Sequence, residues 1–424
     1  MGAEPSGGDA PHTAGGLDAR LANHPLSGVK VVDLGQIYNG PYAGFLLAMG
    51  GADVIKVEPP DGEPLRERGG LAGISFALGM LNSNKRGIAI NLKSAEGRAL
   101  LIELVSKADV LLENFAPGAL DRLGVGEQVL RAANPRLIYA SSTGYGQSGP
   151  ARDNLAMDLT IQAYAGIMSI NGTTDMPPLK AGLALCDFLG AIHLYAGIVT
   201  ALYERERTGL GRTVEISMME AAYPALATNL ASMYLHAGQA PPRTGNRHPA
   251  GTSAPYGVYR CSDGHVAIIC VREVHWERLL EVMQQTRLRD DQRFADQATR
   301  ARNVELVDRT VEQWTSGLSK IEVGRRLREA GVPAAPIRTL PEVQADEHMH
   351  LRGMLQHVHH PELGEVVLPH SPLRFHGEQR IALEPSPTLG QHGRVILRDW
   401  LGYDDKRVDD LQRASAINIP PDHA

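Results

Sequence analysis

The stretch Val29–Glu58, VKVVDLGQIYNGPYAGFLLAMGGADVIKVE, decides the fold. It opens on a β-branched run, VKVVDL (29–34), and closes on a second, DVIKVE (53–58). Between them YAGFLLAMGGA places its apolar residues at helical spacing. Strand, helix, strand in this order is the pattern of a parallel sheet. Working outward, Ile88–Leu92 reads as a further strand, and SAEGRALLIELVSKA as an amphipathic helix opened by Ser94. Gly97 stands where a capping box would carry Glu, so only half of that device is present. DVLLEN (109–114) and RLIYAS (136–141) add strands on either side of a helical stretch, Val125–Ala133. Alternating β and α segments predict an α/β fold with a doubly wound, Rossmann-like large domain. Gly35, Gly40 and Gly44 do not keep the G-x-G-x-x-G spacing, so a dinucleotide pyrophosphate turn is not indicated.

Further along, AIHLYAGIVTALYERER (191–207) predicts a helix closed by Gly209, and another spans Met218 to about Ala237. The Gly, Pro, Arg and His-rich segment from Ala237 to Tyr256 marks a domain boundary or an active-site loop. YGVYRC and HVAIIC around Ser262-Asp263-Gly264 form a β-hairpin, followed by helices near Trp276–Met283, Val304–Ser319 and Ile321–Ala330. From Pro333 the chain turns extended and proline-rich, with a second hairpin around Glu362–Gly364 and a polar helical end. The expected organisation is a disordered tail (1–25), the first part of a large α/β domain (26–236), a linker with a small α+β domain (237–332), and a returning segment that completes the large domain (333–424).

The 424 residues carry 42 basic and 48 acidic side chains, a formal net charge of −6. That balance gives no general affinity for nucleic acid or an anionic membrane, so any anionic ligand must be met by a local site. Three cysteines, without a CxxC pair, suit neither a disulfide framework nor zinc and fit a reducing cytoplasm. The first residues lack a basic start followed by an apolar core, and no apolar run looks long enough for a membrane span. No metal-ligating pattern stands out: the histidines at 357–360 (HVHH) have no accompanying acid or cysteine spacing.

One carboxylate draws attention. Within NLAMDLTIQAYAGIMSINGTTDMPPLKAGLALCD (154–187), Asp158 stands at the head of an apolar segment where a helix is expected to start. Asp in that position can simply cap the helix. The surrounding Gly166, Asn171-Gly172, Pro177-Pro178 and Ala181-Gly182, with a second acid at Asp187, leave room for a substrate beside it.

These segments resemble the class III CoA transferases, the CaiB/BaiF family of formyl-CoA and carnitine CoA transferases. The resemblance rests on GVKVVDLGQIYNGPYAGFLLAMGGADVIKVEPP, NSNKRGIAINLKSAEGR, ADVLLENFAPGALDRLGVG, PRLIYASSTGYGQSGP, LAMDLTIQAYAGIMSINGTTDMPP, ALCDFLGAIHLYAGIVTALYERERTGLGRTVEISM and SPTLGQHG. It covers almost everything after residue 25 and is weakest over Pro241–Ser319. It implies a cytoplasmic enzyme, an interlocked homodimer, that moves CoA from an acyl-CoA to a free carboxylic acid. CoA esters would be substrates, with no permanently bound cofactor. Asp158 would be the nucleophile, passing through an aspartyl mixed anhydride and an aspartyl-CoA thioester. The same resemblance places Ile90, Lys93, Asn114, Phe115, Arg122 and Tyr145 along the CoA groove of the large domain. Tyr38, Asn39, Asp187 and His248 would belong to the acyl or acceptor pocket, and GNRHPAGTS (245–253) is the candidate lid.

Departures from the family pattern matter. Pro59-Pro60 occupy a turn where some members carry arginine for the CoA phosphates, and Thr143 stands where some carry lysine. QIYNGP replaces the HVQAGP of oxalate-using members, which puts Tyr38 in place of a glutamine, so oxalate specificity does not carry over. Two other readings stay open. An α-methylacyl-CoA racemase or epimerase of the same fold would need a histidine immediately before Asp158, where this chain has Met157. A CoA-ester-binding protein without turnover would have lost the nucleophile. His193, among Ile192, Leu194 and Tyr195, reads as a core histidine.

Overall fold

The structure is a computed structural model that describes residues 23–67, 74–235 and 243–420. Most of the tail read from the sequence, and residues 236–242 of the Gly/Pro-rich loop, lie outside the described residues. Two compact units result: one holds the chain up to Met157, Cys186–Ala221 and the residues from His350 onward, the other Asp158–Leu185 and Ala222–Met349. This differs from boundaries at 237 and 332, because the segment carrying Asp158 and the helices after Ala222 cluster with the smaller unit.

In the first unit, β1 (Lys30–Asp33), β2 (Asp53–Glu58), β3 (Arg86–Ile90), β4 (Val110–Glu113), β5 (Ile138–Thr143) and β6 (Thr213–Ser217) are parallel. A two-residue strand near the C-terminus, Ile417–Asn418, pairs antiparallel with β3, so the order is Ile417–Asn418, then β3-β2-β1-β4-β5-β6. This is the doubly wound arrangement expected from the sequence. Neither β6 nor the C-terminal strand was foreseen: one is a half-exposed edge strand and the other is too short to show a period.

Successive residues of the central strands feed opposite cores, as the pleat requires. Val31, Val110 and Leu112 meet Ala43 and Leu47 of the helix Asn39–Ala48 and Leu194 and Ile198 of the helix Leu185–Thr208. Val32 and Leu111 face Leu101 and Leu104 of the helix Ala95–Ser106 and Trp400 of Gly393–Leu401. The helix Leu185–Thr208 corrects one expectation: by length and composition it could cross a membrane. Its buried Ala191, Leu194, Ile198 and Ala201 instead belong to the core beneath the sheet.

The second unit contains the expected hairpin, β7 (Tyr256–Cys261) and β8 (Gly264–Ile269), joined by β9 (Ala334–Pro336) in an antiparallel sheet. Helices Glu273–Val282, Val304–Thr315 and Lys320–Glu329 bury Trp276, Leu279, Val307, Val311 and Leu327 with it. The long helix expected after Met218 is broken into Met218–Ala222, a 3-10 turn at Tyr223–Leu226 and Ala227–Leu235. Pro224 lies in that turn, where it lacks the N–H a continuous helix would use. In the first unit, Leu355–His360 and Gly364–Pro369 form the second expected hairpin, turning at 361–363.

Candidate active site

In the strand order β3-β2-β1-β4-β5-β6 the direction of winding reverses between β1 and β4, and ligands of such sheets bind beyond the strand C-termini at that point. The loop leaving β1, Gly35–Tyr38, is held there by side chains from three elements. Asp33 Oδ1 accepts from Gly35 N at 2.7 Å, and Glu63 Oε2 accepts from Ile37 N at 2.8 Å. Asn114, directly after β4, accepts from Gln36 N at 2.7 Å through Oδ1 and donates to Gln36 O at 3.0 Å through Nδ2. Ile37 has φ +65°, in the left-handed region that a β-branched residue avoids. Such a residue costs on the order of 1–3 kcal/mol, and here the flanking bonds over-determine it. Gly35 and Gly40 let the backbone pack closely on itself: a Cβ on Gly40 would stand 2.6 Å from Gly35 Cα.

Beneath the loop lies a buried ionic pair. Lys85 Nζ donates to Asp33 Oδ2 at 2.7 Å, Pro41 O at 2.8 Å and Asn82 Oδ1 at 2.9 Å, which satisfies all three ammonium hydrogens. Burial is the main influence on Lys85 and brings its pKa down to about 8, although Asp33 works in the other direction. Lys56 bridges Glu63 at 2.9 Å and donates to Gly35 O. Sequence reading passed over these lysines, since a buried cation inside NSNKRG looks like any surface lysine until its partner on β1 is known.

The structure brings Tyr38, Asn39 and Asp187 together. Asn39 is 1% exposed, and its Nδ2 donates to Asp187 O at 3.2 Å. Gly190 makes room for that amide, because a Cβ there would meet Asn39 Nδ2 at 2.3 Å. The Tyr38 ring stacks on Phe188 with centroids 6.3 Å apart.

The six expected groove residues divide. Ile90 is 1% exposed, lies in the core and pairs with Ile417 of the C-terminal strand. Asn114 is engaged with Gln36. Lys93 is exposed in the turn after β3, and Phe115 is half-buried against the core. Arg122, exposed at the end of the short helix Ala119–Arg122, donates to Pro117 O at 3.4 Å. Tyr145 is half-buried in the turn after β5. Beside them Glu113, 3% exposed, accepts from Phe115 N at 2.7 Å. Burial raises its carboxyl to about pKa 7 against the opposing effect of its hydrogen bonds. It lines a cavity of about 170 Å³ with Asp121, Glu127 and Glu215.

In the second unit, Asp158 begins the helix Asp158–Tyr164, as its sequence position suggested. Gln162, one turn on and 1% exposed, donates from Nε2 to Asp158 Oδ2 at 2.6 Å. The same amide donates to Leu183 O at 3.2 Å and accepts from Ala181 N at 2.8 Å through Oε1. Gln162 was missed in the sequence, where only its i+4 spacing from Asp158 hints at the pairing. His248 accepts from Ala250 N at 3.2 Å through Nδ1 and meets the Tyr256 ring edge-on at 5.1 Å. It lines a cavity of about 660 Å³ with Arg243, Arg247, Tyr259 and Asp308; Asp158 does not. A bridge, Thr173↔Thr244, and the bond from Gly245 N to Gly172 O at 2.9 Å tie the suspected lid to the loop after the Asp158 helix. His193, read as a core residue, is exposed and pairs its Nδ1 with Leu189 O at 2.8 Å, because it falls on the outer face of its helix.

The model of CoA-transferase family III matches residues 26–393. A succinyl-CoA–D-citramalate CoA-transferase from Chloroflexus aurantiacus is 36% identical over 407 residues, covering 95% of this chain and 100% of the relative. A formyl-CoA:oxalate CoA-transferase from Streptomyces coelicolor is 34% identical over 411 residues, covering 92% and 99%. Among solved structures, a CaiB/BaiF family protein from Brucella suis superposes with TM-score 0.78 at 35% identity, covering 88% of this chain and 98% of its own. Agreement in sequence along nearly the whole length and in the doubly wound architecture leaves one assignment: this chain belongs to CoA-transferase family III and is an acyl-CoA:carboxylate CoA-transferase.

Proposed function

We propose that the enzyme transfers CoA through Asp158. A carboxylate oxygen attacks the thioester carbonyl of the donor and CoA leaves as the thiolate, giving a mixed anhydride. The thiolate attacks the aspartyl carbonyl and releases the donor acid, leaving an aspartyl-CoA thioester. The acceptor carboxylate then reverses both steps. One thioester is exchanged for another, so no external energy source is required.

The observation that carries this reading is the 2.6 Å bond from Gln162 to Asp158, which orients a half-buried carboxylate at the head of its helix. The CoA ester would lie along the sheet's C-terminal edge, with Lys93 and Arg122 for its phosphates and Phe115 and Tyr145 for apolar contact. Asn114 serves the site by setting the loop, and Ile90 by backing it. Tyr38, Asn39 and Asp187 would face the acyl or acceptor carboxylate; His248 is a further candidate for substrate contact. Two relatives are named for D-citramalate and for oxalate; for this chain the acceptor is taken to be a small carboxylic acid, with QIYNGP setting which one. A homodimer in the cytoplasm is part of the proposal. Leu155, 90% exposed, with Met157, Leu159 and Tyr164 around Asp158, offers apolar surface for a second copy to cover and so to exclude water from the anhydride.

A panel of acyl-CoA donors and carboxylic acids in D₂O, read by mass spectrometry of the CoA esters, tests the assignment. CoA on a new acid is expected, and Asp158→Ala should abolish it. Deuterium entering the α-carbon without acid exchange would establish a racemase instead.

A further inference from the structure

The mechanism above places negative charge on two different carbonyl oxygens, one belonging to the substrate and one to the enzyme's own aspartate. We infer that Gln162 is the oxyanion donor for the second of these: its Nε2 stabilises Asp158 Oδ2 each time the aspartyl carbonyl is attacked. The inference rests on Asp158 as nucleophile and gives Gln162 a second task besides orienting that carboxylate.

The geometry comes first. Gln162 Nε2 lies 2.6 Å from Asp158 Oδ2, as close as a short charge-assisted hydrogen bond brings a donor to a carboxylate oxygen. Its second amide hydrogen is directed at Leu183 O, and its Oε1 accepts from Ala181 N. That trio fixes which end of the amide is which. Flipped, Oε1 would face the Asp158 carboxylate and Leu183 O while the amino group met the Ala181 N–H, an arrangement with no acceptor for either donor. With 1% exposure the side chain has nowhere else to turn, so the donor is preorganised.

The chemistry follows atom by atom. When Oδ1 attacks the donor thioester, CoA leaves with the bonding pair and Oδ2 stays the carbonyl oxygen of the new anhydride. Thiolate attack on Cγ moves the C=O pair onto Oδ2; collapse expels the donor carboxylate, which takes Oδ1 with it. Acceptor attack on Cγ of the thioester charges Oδ2 again before CoA thiolate leaves. Oδ2 therefore carries the developing charge in two of the four attacks, and Gln162 touches it in both. Neither attack on a substrate carbonyl involves it.

A defined pair of variants tests this. Wild type, Gln162→Ala and Gln162→Glu are mixed with acyl-CoA without acceptor, and the CoA adduct on the Asp158 peptide is timed by quenched mass spectrometry. Acyl-CoA affinity and melting temperature serve as fold controls. In Gln162→Ala the adduct should form about 10²–10³-fold more slowly, the loss typical of one oxyanion donor, with acyl-CoA affinity within twofold. Gln162→Glu keeps the acceptor for Ala181 N but donates only when protonated. Its adduct rate should climb relative to wild type as pH falls, which a packing defect would not do. Wild-type adduct rates in either variant at neutral pH overturn the assignment to Gln162 while leaving Asp158 in place. CoA transfer by wild type with no adduct on the Asp158 peptide overturns Asp158 as nucleophile and Gln162 with it.

Discussion

Asn114 and Gln36, 78 residues apart, pair amide to backbone in both directions, at 2.7 and 3.0 Å. The contact spans the switch point of the sheet and sets the loop that carries Tyr38 and Asn39.

Replacing Asn114 by Ala removes both partners of Gln36 at once. The part-buried backbone N–H and C=O left unpaired should cost on the order of 1–3 kcal/mol, and the strained Ile37 should relax. Denaturant unfolding should report that loss, and steady-state kinetics a fall in kcat/KM. Unchanged kinetics would mean that the loop is held without Asn114.

Gly44 sits inside the helix Asn39–Ala48, where Ala is normally preferred by roughly 1 kcal/mol. Here the sign reverses. A Cβ at Gly44 would stand 2.4 Å from Asp33 Oδ2 and 3.0 Å from Lys85 Nζ, forcing apart a buried ion pair. Breaking such a pair costs about 3–5 kcal/mol. Gly44→Ala should therefore lower the melting temperature, while Gly182→Ala, where a Cβ meets nothing within 4 Å, should not.

Burial disfavours the charged form of Glu113 and pushes its carboxyl up to about pKa 7, whereas in the unfolded chain it ionises near the ordinary 4.5. A raised carboxyl pKa gives stability that is fully present below about 4.5 and is lost as pH rises through 7. Gln in its place keeps the shape without the charge. Glu113→Gln should be more stable than wild type at pH 8, by about 3 kcal/mol, with the difference vanishing toward pH 4.5. Urea titrations at the two pH values check this.

Arg243 donates from Nε to Thr173 O at 3.0 Å and from its terminal nitrogen to Met176 O at 2.5 Å. It thus reinforces the bridge between the loop after the Asp158 helix and the 245–253 segment. In Arg243→Ala, hydrogen exchange at the Gly245 amide should accelerate about tenfold or more, while exchange at β7 and β8 stays unchanged. Equal protection at Gly245 would show that the bridge stands alone.

Local periodicity and motif together determined the doubly wound α/β fold, the family, and Asp158 at the start of its helix. These are legible because strands, helices and caps depend on residues a few positions apart. What tertiary structure decided lies between distant residues: Asp33 with Lys85, Gln36 with Asn114, and the C-terminal strand against β3. The side chains involved are polar, and sequence alone cannot tell a buried, paired lysine or asparagine from a solvated one. Even Gln162, only one turn from Asp158, needed the fold: its role depends on Ala181 and Leu183 returning to close its amide, which happens through contacts some twenty residues away.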